Sequence, residues 1–450
     1  MERRTALRLL SSALLSGALS RAVSAAAQTA APRTPATKWV PADGAPVVVG
    51  GPAPGASAPG VTAKEIRIGM SAAFKGTAAG LGTEFYRGAQ AYYDEVNARG
   101  GLFGRMLAVV GHDDNYEPLP CVKNTIQLLE KDNVFFLSNY VGTPTLTRAL
   151  PVIKRYAEQN VVLVGNFTGA QPQREEPYLD QVFNIRASYR QEMMALVERL
   201  WQTGVRKFGV YYQIDAYGRS GTDGVARGLA HRGARIAAEA TYVRGAKFED
   251  DMTPAVQALR QAGVEAVLCT GAYQGCGAFI RTARDHGWAV PISNVSFVGS
   301  EAMLSLLLRH GQASGRDYTQ ALLNSQVVPS YDDVSLPGVV EYRTLMEKHN
   351  PQVPDALRDA KQAPEQLSFR SLEGFVNARV IVEGLRRAGP NPTRTGLRQA
   401  LESLKNFDLG IGAPLTFGPE RHQGLDNVYF TRVVNGRWAP ITDWAAAVKA

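Results

Sequence analysis

The chain has 450 residues, too long for one ordinary hydrophobic core, so two or three domains are expected. With 45% apolar and 20% charged residues it has the composition of a folded, water-soluble protein. Its net charge of +8 is scattered, with no Lys/Arg block and no basic stripe interleaved with aromatics, which argues against nucleic acid as a partner.

Residues 1–27 have the form of an export signal: Arg3-Arg4, a modestly apolar stretch from Ala6 to Leu19, and small residues Val23, Ala25 and Ala27 for a peptidase. The twin arginines, the weak apolar core and the late Arg21 favour the twin-arginine route over an ordinary Sec leader. No cysteine precedes Cys121, so a lipid-anchored N-terminus is not expected. No later stretch approaches the ~18 apolar residues that a membrane span needs. The expected location is the periplasm. Residues 28–60 are rich in Ala, Pro and Gly with few large apolar side chains, and are expected to form a disordered linker.

From Val61 onward strands and helices alternate. Glu65–Met70 reads as a strand, followed by a Gly-bearing loop and a helix over 82–99 with Phe85, Ala89, Tyr92 and Val96 on one face. Strands follow at 106–110, 134–137 and 161–164, with helices at 117–131 and 146–159. A second set has strands at 208–212, 237–243, 266–268 and 292–297 and helices starting near Arg190, Tyr217, Asp251, Gln274 and Glu301. Such units build parallel sheets with right-handed crossovers. The tail has helices at 339–349, 367–388 and 393–404 before short strands at 415–417 and 427–434, and is expected to complete both lobes.

Ligands of open parallel sheets sit beyond the C-terminal strand ends. The loop after the third strand carries Gly142-Thr143-Pro144, where Thr143 is either an anion-binding helix start or a plain N-terminal cap. Asn166-Phe167-Thr168-Gly169 follows the fourth strand, as a polar cluster or a surface turn. Tyr217 and Tyr273 each stand at a strand exit of the second set, as cleft walls or as partly buried anchors. Glu301 is either a cation ligand or a first-turn acid facing the helix dipole. Catalytic signatures do not join them: there is no G-x-S-x-G elbow, no P-loop and no H-E-x-x-H, and the six histidines are scattered. No enzyme, cofactor or metal site is expected. Of the three cysteines, Cys269 and Cys276 are either a disulfide or two buried thiols.

Taken in order, Ile66-Arg67-Ile68-Gly69-Met70, Gly88-Ala89, Val96 to Gly101, Asp113-Asp114, Asp215-Ala216-Tyr217-Gly218, Tyr273, Gly299-Ser300-Glu301 and Gly412 to Phe417 resemble one known family. It is that of the periplasmic substrate-binding proteins of ABC transporters, of the branched-chain amino-acid type. The resemblance implies an α/β fold of two doubly wound parallel-sheet lobes joined by a three-segment hinge, the type I periplasmic binding fold. Lobe 1 would comprise residues 61–187 with about 332–412, and lobe 2 residues 188–331 with about 413–450. The chain would cross near 186–188, 327–332 and 413–416. The resemblance also implies that Thr143 and Thr168 bind a ligand carboxylate and that the Asn166 carbonyl and the Glu301 carboxylate receive its ammonium. Tyr217 and Tyr273 would close the cleft. The implied protein is a monomer that passes a small amino-acid or carboxylate solute to an inner-membrane permease. The same fold also serves ligand sensing, and an aromatic or aliphatic carboxylate or an amide is the alternative ligand. Four positions depart from the family: Tyr116 and Gly142 replace the cysteines of the first-lobe disulfide of leucine-type members, Leu81 replaces an aromatic, and Pro144 replaces a serine.

Overall fold

The computed structural model describes residues 58–449. The expected export signal and nearly all of the expected linker lie outside the described residues. Where description begins, Ala58 already forms a bridge with Val61, so regular pairing starts slightly before the expected end of the linker.

The first sheet is wholly parallel, in the order β2-β1-β3-β4-β5, built from β1 (Glu65–Ala72), β2 (Met106–Asp113), β3 (Phe136–Ser138), β4 (Leu163–Val164) and β5 (Val182–Phe183). Helices α1 (Ala79–Ala98), α2 (Pro118–Glu130) and α3 (Thr143–Arg155) connect its strands. Ile66, Ile68 and Met70 of β1 are buried together with Gly69-adjacent Leu137 of β3, as a central parallel strand covered on both faces requires.

The chain then enters α4 (Tyr189–Gln202), whose start is fixed by a capping box between Ser188 and Gln191. The second sheet follows from β6 (Phe208–Gln213), α5 (Ala216–Ala230), β7 (Ala238–Tyr242), α6 (Thr253–Gln261), β8 (Ala266–Thr270), α7 (Tyr273–Asp285), β9 (Ile292–Asn294), α8 (Ser300–Ser314) and β10 (Leu322–Gln326). The tail supplies α9 (Pro337–His349), α10 (Phe369–Ala388), α11 (Arg394–Glu402), β11 (Phe407–Asp408), β12 (Pro414–Leu415), β13 (Tyr429–Val434), β14 (Arg437–Pro440) and α12 (Trp444–Ala447). The second sheet runs β14-β13-β10-β9-β8-β6-β7, its last two strands in sequence joining antiparallel at one edge. The expected α/β fold with two parallel-sheet lobes is the observed one.

Tail helices α9, α10 and α11 return to the first lobe. Helix α10 lies on α1 so closely that a Cβ at Gly88 would come within 1.7 Å of the Ser371 carbonyl oxygen, and one at Gly374 within 2.1 Å of that of Phe85. Glycine is required at this crossing because any side chain would push the helices apart.

The third crossing between lobes differs from the expected one at 413–416. Leu415 is buried and pairs with Phe407, and Phe417 packs edge-on against Phe183 at 5.3 Å. Backbone bonds from Asn184 N–H to the His422 carbonyl (2.6 Å) and from Leu425 N–H to the Ile185 carbonyl (2.9 Å) then hold the chain beside the exit of β5. It reaches the second sheet only at Tyr429. The apolar side chains of 415 and 417 belong under the first lobe, and that displaces the crossing by about ten residues.

Candidate functional site

Residues expected at the threonine end come together. Gly142, at φ +110, turns the chain out of β3 and into α3, leaving Thr143 as the first helical residue. Its Oγ1 lies 2.6 Å from Oγ1 of Thr168, and both side chains are buried. Thr168 Oγ1 also accepts the Ala170 N–H at 3.3 Å. Asn166 is on the same loop, where its Nδ2 donates to the Thr168 carbonyl at 3.2 Å while its Oδ1 is buried without a hydrogen-bond partner. An unpaired buried carbonyl oxygen is costly unless something else donates to it.

Tyr217 reaches this end through other rings. It is fully buried in the first turn of α5, lies 5.2 Å from the ring of Tyr189, and donates its hydroxyl to the Gly271 carbonyl at 3.3 Å. The centre of the cluster is Phe297, with Phe167 at 4.7 Å, Tyr217 at 4.8 Å, Tyr116 at 6.0 Å and Tyr189 at 6.5 Å. Phe297 follows β9 of the second lobe and Phe167 follows β4 of the first, so these rings join the lobes. A cavity of about 330 Å³ opens alongside, with Thr147 and Gly169 on one wall and Ala216, Arg190 and Asp223 on the other.

Tyr273 and Glu301 gather at a second end. The Tyr273 hydroxyl, on the first residue of α7, accepts the Gly80 N–H at 3.4 Å across the lobes. Glu301 Oε1 accepts the Phe369 N–H at 3.1 Å, and its Oε2 is buried without a hydrogen bond, 3.9 Å from Nη2 of Arg370. Burial, then the neighbouring Glu365 charge, push the Glu301 carboxyl up to about 8 against the opposing pull of Arg370. Arg370 is itself buried, bonded to the Gly80 carbonyl at 2.5 Å and to the Glu365 carboxylate. Close by, Glu84 pairs with Arg87 at 2.9 Å, and burial raises its carboxyl to about 7. Glu301 therefore faces a guanidinium already, which the expectation of a free ammonium ligand did not include.

Sequence reasoning missed Arg370, Tyr189, Phe297 and Tyr116. Arg370 sits in a tail helix far along the chain from Gly80, and only the α1–α10 crossing brings it to the cleft. Tyr189 and Phe297 had a usable signal, since one opens the helix after the first crossing and the other follows β9. The missing disulfide is replaced by packing: a Cβ at Gly142 would lie 2.5 Å from Cε2 of Tyr116, so the Tyr116 ring rests on the glycine. Cys121, Cys269 and Cys276 are buried free thiols, so the alternative of a Cys269–Cys276 bridge is not the state observed. Among the described residues no helix is long and apolar enough to cross a membrane.

Buried hydroxyls and an aromatic cluster thus stand where the two lobes meet. The chain belongs to the periplasmic binding protein family, whose model matches residues 65–437. That family consists of solute-binding proteins, not enzymes. A possible leucine/isoleucine/valine-binding protein from Rhodopirellula baltica is 30% identical, covering 86% of this chain and 98% of its own, with a TM-score of 0.74. A substrate-binding periplasmic protein from Ralstonia solanacearum is also 30% identical, over 82% of this chain and 98% of its own, at a TM-score of 0.71. An amino acid binding protein of Pseudomonas aeruginosa is 25% identical over 226 residues, 50% of this chain. The match spans 58% of that relative's length.

Proposed function

We propose that the protein is an exported, periplasmic receptor that captures a small amino-acid-like or carboxylate solute between its lobes and delivers it to an ABC permease. The observation that carries this reading is the buried Thr143–Thr168 hydroxyl pair at the start of α3, 2.6 Å apart. It combines two hydroxyls with the backbone N–H groups of a helix N-terminus, the donor set that suits a carboxylate. In this reading ligand docks first on Thr143, Thr168 and Asn166, and closure then brings Tyr217, Tyr273 and Glu301 over it and excludes water. Lobe 1 is residues 61–187 with about 332–425, and lobe 2 is 188–331 with the remaining tail. Micromolar affinity needs about 8 kcal/mol, which a few charge-assisted hydrogen bonds of roughly 1.5–3 kcal/mol each supply.

Glu301 supports two ligand classes. With Oε2 free of hydrogen bonds it suits the ammonium of an amino acid, whose charge would draw the raised carboxyl back into its ionised form. Its approach to Arg370 at 3.9 Å favours a ligand without an ammonium group, a simple carboxylate or an amide. Titration calorimetry of the wild type and Glu301→Gln, with L-isoleucine and with the 2-oxo acid that lacks only its ammonium, separates them. The amino-acid reading expects Glu301→Gln to lose at least tenfold in affinity for isoleucine and to change little for the oxo acid. Equal effects on both would remove Glu301 from the ammonium role.

A further inference from the structure

The turn between β2 and α2 is strained and prebuilt. Asn115 (φ 51) and Tyr116 (φ 61) are consecutive non-glycine residues in the left-handed region, a conformation that persists only when its surroundings impose it. Here Asp113 Oδ1 accepts the N–H groups of Phe74 (2.8 Å), Lys75 (3.1 Å) and Asn115 (3.2 Å). Buried Asp114 takes the Tyr116 N–H at 2.9 Å and the Ser71 hydroxyl at 2.8 Å.

The turn points two side chains at the other lobe. One is Tyr116, which packs on Phe297. The other is Glu117, whose carboxylate meets Arg244 from beyond β7, with Nη2–Oε2 at 2.7 Å and Nε–Oε1 at 3.3 Å. Arg244 also holds Asp215 at 3.3 Å. Asp215 in turn caps α5, accepting the Tyr217 N–H at 2.9 Å, and takes a bond from Gln213 at 2.5 Å. Gln213 accepts the Tyr242 hydroxyl at 3.3 Å, and that hydroxyl accepts the Ala272 N–H, next to Tyr273, at 2.8 Å. One guanidinium thus connects the first lobe to the backbone of both cleft tyrosines.

We propose that Arg244 is a positioning residue and that its bidentate pair with Glu117 is an interlobe latch, which favours the closed form while setting Tyr217 and Tyr273. The positioning half rests on the receptor reading above, whereas the latch half is tested without any ligand. Dyes on Lys123→Cys and Ala230→Cys, both on exposed residues, report lobe separation by single-molecule energy transfer, and the native thiols are buried. For a partly exposed pair the closed-to-open ratio should fall roughly three- to fivefold in Arg244→Gln and in Glu117→Gln at low salt. The double variant should be no worse than either single, and 1 M salt should bring wild type to their level. Arg244→Lys should recover part of the ratio. Additive losses in the double variant, or a wild-type ratio indifferent to salt, would overturn the latch, and Glu117→Gln alone decides the matter if Arg244→Gln does not fold.

Discussion

Thr143 and Thr168 show what one buried hydrogen bond does for the fold. Their hydroxyls satisfy each other at 2.6 Å in a fully buried setting, so neither is left unpaired when the cleft is empty. Thr143→Val should cost about 1–3 kcal/mol in denaturant unfolding, because it leaves the Thr168 hydroxyl with only the long Ala170 N–H bond, and should weaken carboxylate binding by a further tenfold or more. Asp114 carries a separate prediction. Burial pushes its carboxyl up to about 7, against the opposing hydrogen bonds from Ser71 and Tyr116. In the unfolded chain an aspartate titrates near about 3.9. Between those values the folded protein holds a proton that the unfolded chain has released, so its contribution is full below about pH 4 and is lost as pH rises through about 7. Urea unfolding at pH 5 and pH 8 should therefore show a smaller pH penalty in Asp114→Asn than in wild type. An unchanged difference would mean that Asp114 is ionised in the fold.

At the scale of elements, the helix crossing of α1 and α10 places Arg370 in the cleft. Gly88→Ala puts a methyl 1.7 Å from a carbonyl oxygen, and backbone cannot yield as a flexible side chain would. It should lower unfolding free energy by about 1–3 kcal/mol or more, the range for overpacked sites. If Gly88→Ala matched wild type in stability, the helices would not be in the contact described. The elements that sequence made legible are those with a clean period: the strand–helix alternation from β1 to α3 and from α4 to α8, each within a few residues of its expected bounds. Strand β10 was not legible because it does not look like a core strand. Asn324, Ser325 and Gln326 are all buried there, hydrogen-bonded to Asn294, Glu192 and Ser300 respectively, and a polar run reads as loop until those partners are known. The two-residue strands β5 and β11 are set by their neighbours and leave no pattern of their own.

At the scale of the whole molecule, the two lobes meet through aromatic packing at Phe297, polar contacts of Tyr273 with Gly80 and of Glu301 with Phe369, the latch at Arg244, and a buried ion cluster at the hinge. In that cluster Arg186 bonds Glu192 at 2.8 Å and Glu373 at 3.3 Å, linking α4 to α10. Glu373→Ala removes one of the two carboxylates on Arg186 and leaves the guanidinium paired with Glu192 alone, so it should lose about 1–3 kcal/mol, read as a lower denaturation midpoint. The places of the six expected site residues at strand ends were legible: Thr143, Tyr217, Tyr273 and Glu301 stand where a strand hands over to a helix, and Asn166 and Thr168 on the loop between β4 and β5. What stayed hidden was their grouping. Thr143, Asn166 and Thr168 share one end, Tyr273 and Glu301 the other, and Tyr217 and Phe297 lie between them, an arrangement set by long-range packing that no local spacing encodes. Thermal unfolding of wild type and Thr168→Val against amino acids, amides and aromatic and aliphatic carboxylates decides whether this cleft holds a carboxylate on Thr143 and Thr168. A true ligand at 100 times its Kd adds about 2.7 kcal/mol, a shift of a few degrees. The account predicts such a shift for at least one carboxylate-bearing compound in wild type and its loss in Thr168→Val. Stabilisation by amides alone, or a shift that survives in Thr168→Val, would contradict it.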